Sequence, residues 1–352
     1  MSSSPSDIIY YGGNTPSFGG NVALLVFMFV FLIAQLIPGI LYKLKFMTFF
    51  WTIGTILELI GYAGRVDSSK NMDSAGTGFK LQLVCLSIGS IFIVAGMQYI
   101  VAMFITSMGG HFSPVKPQFL TLTFLFIDLV AFVLQIVGSC LAATKFDDND
   151  SQTGADILAA GCGVELLSLI LSLFVWGEFW SKCYASYKSH GEKQFNIYYE
   201  SIRLGRFFVP LIWLFTIASL LLVVRSAYRL AEAVEGFTFE LTTNQIYPMI
   251  LHALMVGLAL LLLVTLHPGY VFGKSPRFKD ELHLLFKLWG DRSPLPDPIA
   301  EQRAMDEVKD FRLTVSSLDD DKTLEKLEGT IHRMGTVKYH KHDLSFTLDP
   351  ID

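Results

Sequence analysis

The sequence predicts an all-α membrane protein that forms a bundle of seven transmembrane helices. The chain has 352 residues, of which 52% are hydrophobic and only 17% are charged, whereas soluble domains carry about 25% charged residues. Its mean hydropathy is +0.46. Seven apolar stretches are long enough to cross a bilayer, which takes about 20 helical residues. Composition and patterning therefore agree on a polytopic membrane protein.

These stretches lie near residues 22–42, 46–64, 81–107, 119–143, 155–178, 207–231 and 246–272. The segment His267-Pro268-Gly269 closes the last one, because proline and glycine stop a helix or reset its direction. We expect three parts: an extracellular N-terminal tail at 1–21, a seven-helix domain at 22–273 and a cytosolic tail at 274–352.

The distribution of basic residues predicts the orientation of the bundle. They gather in the connection after the fifth stretch, at Lys182, Lys188, Lys193, Arg203 and Arg206. The connection after the fourth stretch is acidic instead. Because excess lysine and arginine mark the cytoplasmic side, we predict an N-terminus outside and a C-terminus inside. The sequon Asn149-Asp150-Ser151 then lies in an outer loop, which makes Asn149 a candidate for glycosylation.

The tail after the seventh stretch has two parts. From Phe278 to Trp289 apolar residues alternate with basic ones. This pattern predicts a short amphipathic helix, lying either in the inner membrane interface or free of it. From Asp291 onward the chain is rich in proline and charge. We expect this part to be mostly disordered and cytosolic, a place where cytosolic regulators bind.

A carboxylate interrupts the second apolar stretch. Glu58, Tyr62 and Arg65 stand at i, i+4 and i+7, so they share one face of a helix. A charged side chain at the bilayer centre costs about 2.5–3.5 kcal/mol even on insertion scales, so such residues face a bundle interior and mark a pathway or a site. A purely structural ion pair between helices is the alternative.

Other polar residues occur in the later stretches. They are Asp128 and Gln135 in the fourth, Glu165 in the fifth, Arg225, Arg229 and Glu232 in the sixth, and His252 in the seventh. Counting residues along each helix places Glu58, Gln135, Glu165, Arg225 and His252 at one depth in the outer half, with Asp128 beneath them. All of these are candidate substrate-binding residues. The alternatives are hydrogen bonds that join helices, snorkelling of the two arginines to head groups, and a core role for His252.

Three acids lie at this common depth or just beneath it, Glu58, Asp128 and Glu165. They exceed the cations counted at their depth, so we expect them to hold protons or to face a polar cavity.

Enzymatic motifs are absent from the sequence. There is no GxSxG elbow, HExxH pair or nucleotide-binding Walker loop. His252 and His267 are fifteen residues apart on one helix, about 22 Å, so they cannot share a metal ion. No basic stripe indicates a nucleic-acid partner. We therefore expect neither an enzyme nor a cofactor, and uphill transport would need an ion gradient or an ATPase partner.

The ordered motifs resemble those of the fungal lipid-translocating exporter family, the resistance-to-aminocholesterol proteins, which includes exporters of sphingoid long-chain bases. The resemblance rests on Glu58…Gly61-Tyr62…Arg65, then Phe124/Phe126…Asp128…Gln135…Gly138, then Arg225…Tyr228-Arg229…Glu232…Gly236, and finally His267-Pro268-Gly269. It covers roughly residues 20–273 and leaves out the tail. What it implies is the movement or control of amphipathic membrane lipids, either sphingoid long-chain bases or phospholipids, at the plasma membrane, with lipid asymmetry and drug resistance as consequences.

The sequence also departs from this family. The family usually has proline where Ser90 stands and a His-Glu pair at Asn244-Gln245. It commonly carries glutamine near Glu165, and aspartate where this chain has His252. Compared with the family, the membrane domain therefore has one additional acid, Glu165, and lacks the aspartate that His252 replaces. We expect this difference to affect substrate specificity.

A sphingoid base has one alkyl tail and a cationic amine. We expect Glu58, Asp128 and Glu165 to bind the amine, Tyr62 to contact it, and Arg65 to tune Glu58. The predicted location is the plasma membrane, with the endoplasmic reticulum as a second site. Two rival functions remain open at this point: a seven-helix lipid sensor resembling a receptor, and an accessory regulator of lipid flippases.

Overall fold

The computed structural model describes residues 11, 15–70, 75–114, 117–144, 152–195, 199–237, 240–273, 337–340 and 345–348. Within these residues seven helices are long and apolar enough to cross a membrane, which confirms the predicted fold class. We call them spans 1 to 7. They run over Phe18–Leu41, Lys45–Lys70, Ala75–Met108, Pro117–Thr144, Gln152–His190, Phe208–Glu235 and Pro248–Phe272.

Several spans extend beyond the apolar stretches that predict them. Span 2 continues to Lys70 and span 3 begins at Ala75, so Arg65 lies within span 2, just beyond the apolar stretch that ends near residue 64. Span 5 has 39 residues, a length of about 58 Å that exceeds a bilayer core of about 30 Å. Hydropathy detects only the apolar part of such a helix, since its polar ends keep the same backbone hydrogen bonds outside the lipid.

Span 3 lies at the centre of the bundle. Within an apolar segment of 18 residues, 89% of the residues of span 3 are buried, whereas the corresponding segments of the other spans are 28–44% buried. The chain crosses the bundle alternately, so spans 1, 3, 5 and 7 begin at the same end. We call this the Phe18 end and the other the Leu41 end. Which end faces the cell exterior stays a prediction.

Glycines bring pairs of spans into close contact. A Cβ atom added to Gly54 would lie 2.7 Å from the carbonyl oxygen of Gly89, which sets spans 2 and 3 against each other. A Cβ atom added to Gly161 would lie 2.7 Å from Cγ of Gln135. The missing side chains therefore let helices approach closely, as small residues do in membrane interfaces. The second contact allows a polar side chain of span 4 to reach into span 5.

Span 7 is not a regular α-helix. It begins as a π-helix at Pro248–Leu254, continues as an α-helix at Met255–Thr265 and breaks before a short helix at Pro268–Phe272. The ring Nδ1 of His267 accepts a hydrogen bond from the backbone N–H of Gly269, 3.0 Å away. The predicted break at His267-Pro268-Gly269 is confirmed. The π-helix was not predicted, and such segments occur frequently at functional sites.

Shorter elements complete the described residues. They are the 3-10 helices Gly110–Phe112 and Gly191–Gln194, the helices Glu200–Arg203 and Glu240–Thr243, and an antiparallel pair of strands, Val337–His340 and Ser345–Leu348. The chain divides into two units, Met1–Ser293 and Pro294–Asp352, and the strands belong to the second. The sequence analysis did not predict them. Asn149 and the expected amphipathic helix lie outside the described residues.

Candidate functional site

Glu165 of span 5 is the centre of a buried hydrogen-bond network. Nη1 of Arg225 in span 6 donates to its two oxygens at 3.1 and 3.3 Å. Nε2 of Gln135 in span 4 donates to Oε2 at 2.7 Å. The hydroxyls of Ser90 and Ser226 donate to Oε1 at 3.2 Å each. Both carboxylate oxygens are thus satisfied by four side chains from three other spans, spans 3, 4 and 6.

The network continues from Arg225 to span 2. Nη2 of Arg225 donates to the carbonyl oxygen of Leu86 at 2.8 Å, and its Nε donates to Nδ1 of His252 at 3.4 Å. Because Nδ1 accepts, the neutral imidazole carries its proton on Nε2. That Nε2 lies 3.3 Å from Oε2 of Glu58 and donates to it. His252 therefore joins Glu58 to Arg225 from within the π-helix.

This network unites residues that the sequence analysis placed at one depth. Hydrogen bonds connect Glu58, His252, Arg225, Glu165 and Gln135, which come from five different spans. All five are at least 97% buried. Snorkelling is therefore the wrong interpretation for Arg225, and also for Arg229, which is only 6% exposed. Both guanidinium groups turn inward because carboxylates lie there to pair with them.

Asp128 lies apart from the network. Its Oδ1 accepts a hydrogen bond from the hydroxyl of Ser168 at 2.8 Å, between spans 4 and 5. Its Oδ2 is buried and has no hydrogen-bond partner among the described residues. Asp128 therefore keeps one free acceptor in the interior, toward the Leu41 end from Gln135, which is two turns along the same helix.

A cavity lies beside the network near the Phe18 end. Its empty volume is about 370 Å³, which includes open solvent, so the enclosed part is small. The wall comes from spans 1, 2, 3, 6 and 7. Its polar groups include Asn21, Arg65, Gln82, Arg229, Glu232 and His252, together with the rings of Tyr62 and Tyr228; Leu24, Met249 and Ala253 are among its apolar residues. The cavity thus has charged and apolar walls, as an amphiphile requires.

Span 6 supplies an ion pair to this wall. Arg229 pairs with Glu232 one turn further along, and its Nη2 donates to the hydroxyl of Ser87 in span 3. The hydroxyl of Tyr228 donates to the carbonyl oxygen of Leu241 at 3.0 Å. The two arginines of span 6 therefore have different partners, because Arg225 pairs across to span 5 and Arg229 pairs within its own helix.

Arg65 has neutral partners. Its Nε donates to Oδ1 of Asn21 at 2.9 Å and its Nη1 to Oε1 of Gln82 at 3.0 Å, while its guanidinium carbon lies 5.6 Å from the ring centre of Tyr11. These hydrogen bonds of Arg65 do not include Glu58, the residue that we expect Arg65 to tune. Seven residues of helix separate the two by about 10 Å, so sharing a face does not bring them together.

Two polar atoms of span 2 without a partner among the described residues lie one helical turn apart near the cavity. Oε1 of Glu58 and the hydroxyl of Tyr62 are both buried without a hydrogen bond to any described residue. The two residues are one helical turn apart, and Tyr62 lines the cavity. Buried polar atoms are nearly always satisfied, so two free ones beside a cavity indicate a place where a ligand donates and accepts hydrogen bonds.

None of the three acids that we expect to hold protons or to face a polar cavity lines this cavity. Glu232 lines it, whereas Glu58 lies behind His252, and Asp128 and Glu165 belong to contacts between helices. Arg225 pairs with Glu165, His252 bonds to Glu58, and Ser168 donates to Asp128. Sequence reasoning also missed Asn21, Gln82, Ser87, Ser90 and Ser226. Such small polar residues are common in membrane helices, so nothing in their pattern distinguishes these five.

Comparison with known proteins settles the family. A family model described as "RTA1 like protein" matches residues 51–275, which include spans 3 to 7 and nearly all of span 2. The chain belongs to the RTA1-like family. The sphingoid long-chain base transporter RSB1 of Saccharomyces cerevisiae is 31% identical over 292 residues, covering 75% of each chain. The family membership confirms the resemblance drawn from the sequence.

Two further relatives from Saccharomyces cerevisiae extend the comparison. Protein RTM1 is 27% identical over 221 residues, covering 62% of this chain and 66% of the relative. Protoporphyrin uptake protein 1 is 25% identical over 229 residues, covering 65% and 69%. No solved structure matches the chain. Seven spans and relatives named as transport or uptake proteins identify this RTA1-like chain as a multi-pass membrane protein with a role in transport.

Proposed function

We propose that this RTA1-like protein moves amphipathic lipids across the plasma membrane and that sphingoid long-chain bases are its substrates. The proposal is supported by the relative named as a transporter of these bases. The observation that carries it is the pair of unpartnered atoms, Oε1 of Glu58 and the hydroxyl of Tyr62, beside a cavity with charged and apolar walls.

The chemistry of a sphingoid head group complements these two atoms. The head group is an amino-diol whose protonated amine has three N–H donors and whose hydroxyls both donate and accept. The amine donates to the free oxygen of Glu58, and a hydroxyl exchanges a hydrogen bond with Tyr62. A buried carboxylate so paired avoids the cost of an isolated charge in a dry interior. The alkyl tail needs no polar partner and stays in lipid.

His252 covers Glu58 in the described conformation, so it moves when the head group binds. It lies in the π-helix Pro248–Leu254, whose wider turn is less favourable than an α-helix and can convert to one. Each residue removed from the helical register rotates the following side chains by about 100°. That rotation takes the imidazole away from Glu58 and opens the carboxylate to the cavity.

The tail enters between spans 1 and 7. Next to the cavity, two hydrogen bonds join the segments that lead into these spans, and we call this pair the Gln245 clasp. The backbone N–H of Ser17 donates to Oε1 of Gln245 at 2.9 Å, and Nε2 of Gln245 donates to the carbonyl oxygen of Thr15 at 2.6 Å. Two hydrogen bonds near the surface are weak enough to open repeatedly. Opening the clasp gives a lipid tail a lateral path.

The remaining candidate residues hold this site in shape. Glu165 is fully satisfied, so its role is to fix Arg225, which in turn positions His252. Gln135 fixes Glu165. Asp128 keeps a free oxygen nearer the Leu41 end, and we propose that it receives the amine further along the path. Arg65, Arg229 and Glu232 form the charged wall that the head group passes.

The test is transbilayer movement of a fluorescent sphingoid base in liposomes containing only the purified protein. We expect wild-type protein to accelerate movement over protein-free liposomes. Glu58→Gln keeps the shape of the side chain but loses its charge, and a hydrogen bond to a charged group contributes about 1.5–3 kcal/mol, so we expect the rate to fall about tenfold or more.

The matched control is Glu178→Gln, which removes a partly exposed acid of span 5 that pairs with Lys182 at 2.6 Å. Its rate should equal the wild-type rate. Equal rates for Glu58→Gln and wild type would show that the carboxylate does not carry the head group. Absence of movement with wild-type protein would overturn transport itself and favour the sensor or the flippase regulator, which need other proteins to act.

Wider roles follow from this activity. Moving single-chain bases between leaflets contributes to lipid asymmetry and to resistance against toxic lipids and drugs. We place the protein in the plasma membrane, with the endoplasmic reticulum as a second site, and assign regulation by cytosolic partners to the tail after Gly273.

A further inference from the structure

The cavity at the Phe18 end carries surplus positive charge. Two guanidinium groups, of Arg65 and Arg229, line it together with one carboxylate, of Glu232. His252 accepts from Arg225 through Nδ1 and is counted as neutral. The described wall therefore has a net charge of +1, from two cations and one anion.

Arg65 supplies this surplus. Its side chain is only 4% exposed, yet its partners are the amide oxygens of Asn21 and Gln82 and the ring of Tyr11. Burial raises the pKa of the Tyr11 phenol above its usual value, so it stays uncharged. No described carboxylate pairs with Arg65. A buried charge without a counter-ion is unfavourable, and an incoming anion removes that cost.

Arg229 adds a second point of attachment. It comes from span 6, whereas Arg65 comes from span 2, so the two guanidinium groups approach the cavity from different helices. Its Nε is buried and has no hydrogen-bond partner among the residues that the structure describes. Glu232 and Ser87 occupy its other nitrogens. One donor of Arg229 is therefore free.

We propose that this cavity binds the phosphate of a lipid head group between Arg65 and Arg229. A phosphate has several oxygens outside its ester bonds, so it accepts from two guanidinium groups at once. The part of the lipid next to the head group contacts the apolar wall, which includes Leu24, Met249 and Ala253. The phosphate site shares this cavity with Tyr62 but uses different charged groups from the amine site at Glu58, so phosphate binding can be measured whether or not the protein moves sphingoid bases.

Binding can be measured on the full chain in neutral detergent by native mass spectrometry. Phosphatidic acid is the probe, diacylglycerol with the same tails is the control without phosphate, and inorganic phosphate tests the free anion. We expect one phosphatidic acid to bind with at least about tenfold higher affinity than diacylglycerol, as a hydrogen bond between charged groups implies.

Asn21→Asp is the decisive variant. It has the shape of the wild-type side chain and places a carboxylate where Oδ1 of Asn21 now lies 2.9 Å from Nε of Arg65. The protein then supplies its own counter-ion, so we expect a more heat-resistant protein whose affinity for phosphatidic acid falls about tenfold or more. Arg65→Gln should lose the same affinity. Arg206→Gln removes an exposed arginine and should bind as wild type.

Three results would overturn the proposal. The first is equal binding of phosphatidic acid and diacylglycerol. The second is unchanged affinity in both Asn21→Asp and Arg65→Gln. The third is binding of inorganic phosphate without phosphatidic acid, which would assign the site to the free anion. Loss of phosphatidic acid binding in Asn21→Asp and Arg65→Gln supports the anion site whatever happens to sphingoid-base movement, whereas the Glu58→Gln variant tests the amine site.

Discussion

Replacing Glu165 with glutamine is expected to lower the free energy of unfolding by about 3–5 kcal/mol, because it leaves a buried cation without its partner. Arg225 is fully buried and pairs with Glu165 at 3.1 Å. A glutamine at this position can still form hydrogen bonds with Gln135, Ser90 and Ser226, so the loss of stability comes from the missing negative charge. The measurement is the thermal unfolding midpoint of the purified protein in detergent micelles.

The chain offers a matched control for this prediction. Glu178 pairs with Lys182 on the same helix, with the two side chains 35% and 45% exposed. Exposed pairs contribute about 0–1 kcal/mol, so Glu178→Gln should leave the midpoint almost unchanged. The double variant Glu165→Gln with Arg225→Met removes both buried charges and should recover most of the loss. An unchanged midpoint for Glu165→Gln alone would show that the pair does not hold the bundle together.

Fixing spans 1 and 7 together is expected to reduce lipid movement to the rate of protein-free liposomes. The Gln245 clasp brings the backbone N–H of Ser17 within 2.9 Å of the Gln245 side chain, so cysteines at both positions lie within reach of a short bifunctional thiol reagent. Cross-linking closes the lateral path that a lipid tail needs, while the cavity itself stays unchanged. Movement of fluorescent sphingoid base is measured before and after cross-linking.

Only one of the four native cysteines is exposed, so unwanted reaction with the thiol reagent can be prevented by a single substitution. Cys140 is exposed, whereas Cys85, Cys162 and Cys183 are buried, so Cys140→Ala removes the accessible thiol. The double variant before treatment is the reference, and each single cysteine treated with the same reagent is the control. Reducing a cleavable cross-link should restore the rate. Full movement in the cross-linked protein would exclude the route between spans 1 and 7.

The fold could be predicted because it depends on long apolar stretches. The depth of the polar residues in the membrane could also be predicted, because an α-helix has a fixed rise per residue. Counting from the ends of the stretches placed Glu58 and His252 together, and the structure joins them at 3.3 Å. The same counting could not tell which acid meets which cation. That choice depends on rotation about each helix axis, which is set by packing of glycines such as Gly161 against Gln135.

The charge of the site was the main point that sequence reasoning missed. It identified unpaired acids as the main feature, but Arg225 satisfies Glu165, while Arg65 is left with neutral amides. Asn21 and Gln82 give no signal in the sequence, since isolated amides in membrane helices are common. The π-helix that carries His252 was equally hidden, because its hydrophobic pattern does not differ from that of an α-helix over seven residues.

The central claim is that a lipid head group binds at Glu58 and Tyr62 beside the cavity. An experimental density map of the protein in a lipid nanodisc with excess sphingoid base tests it most directly. The account predicts head-group density in contact with both residues and a His252 ring displaced from Glu58. An empty cavity with His252 still bonded to Glu58, while the lipid lies elsewhere on the bundle, would contradict it.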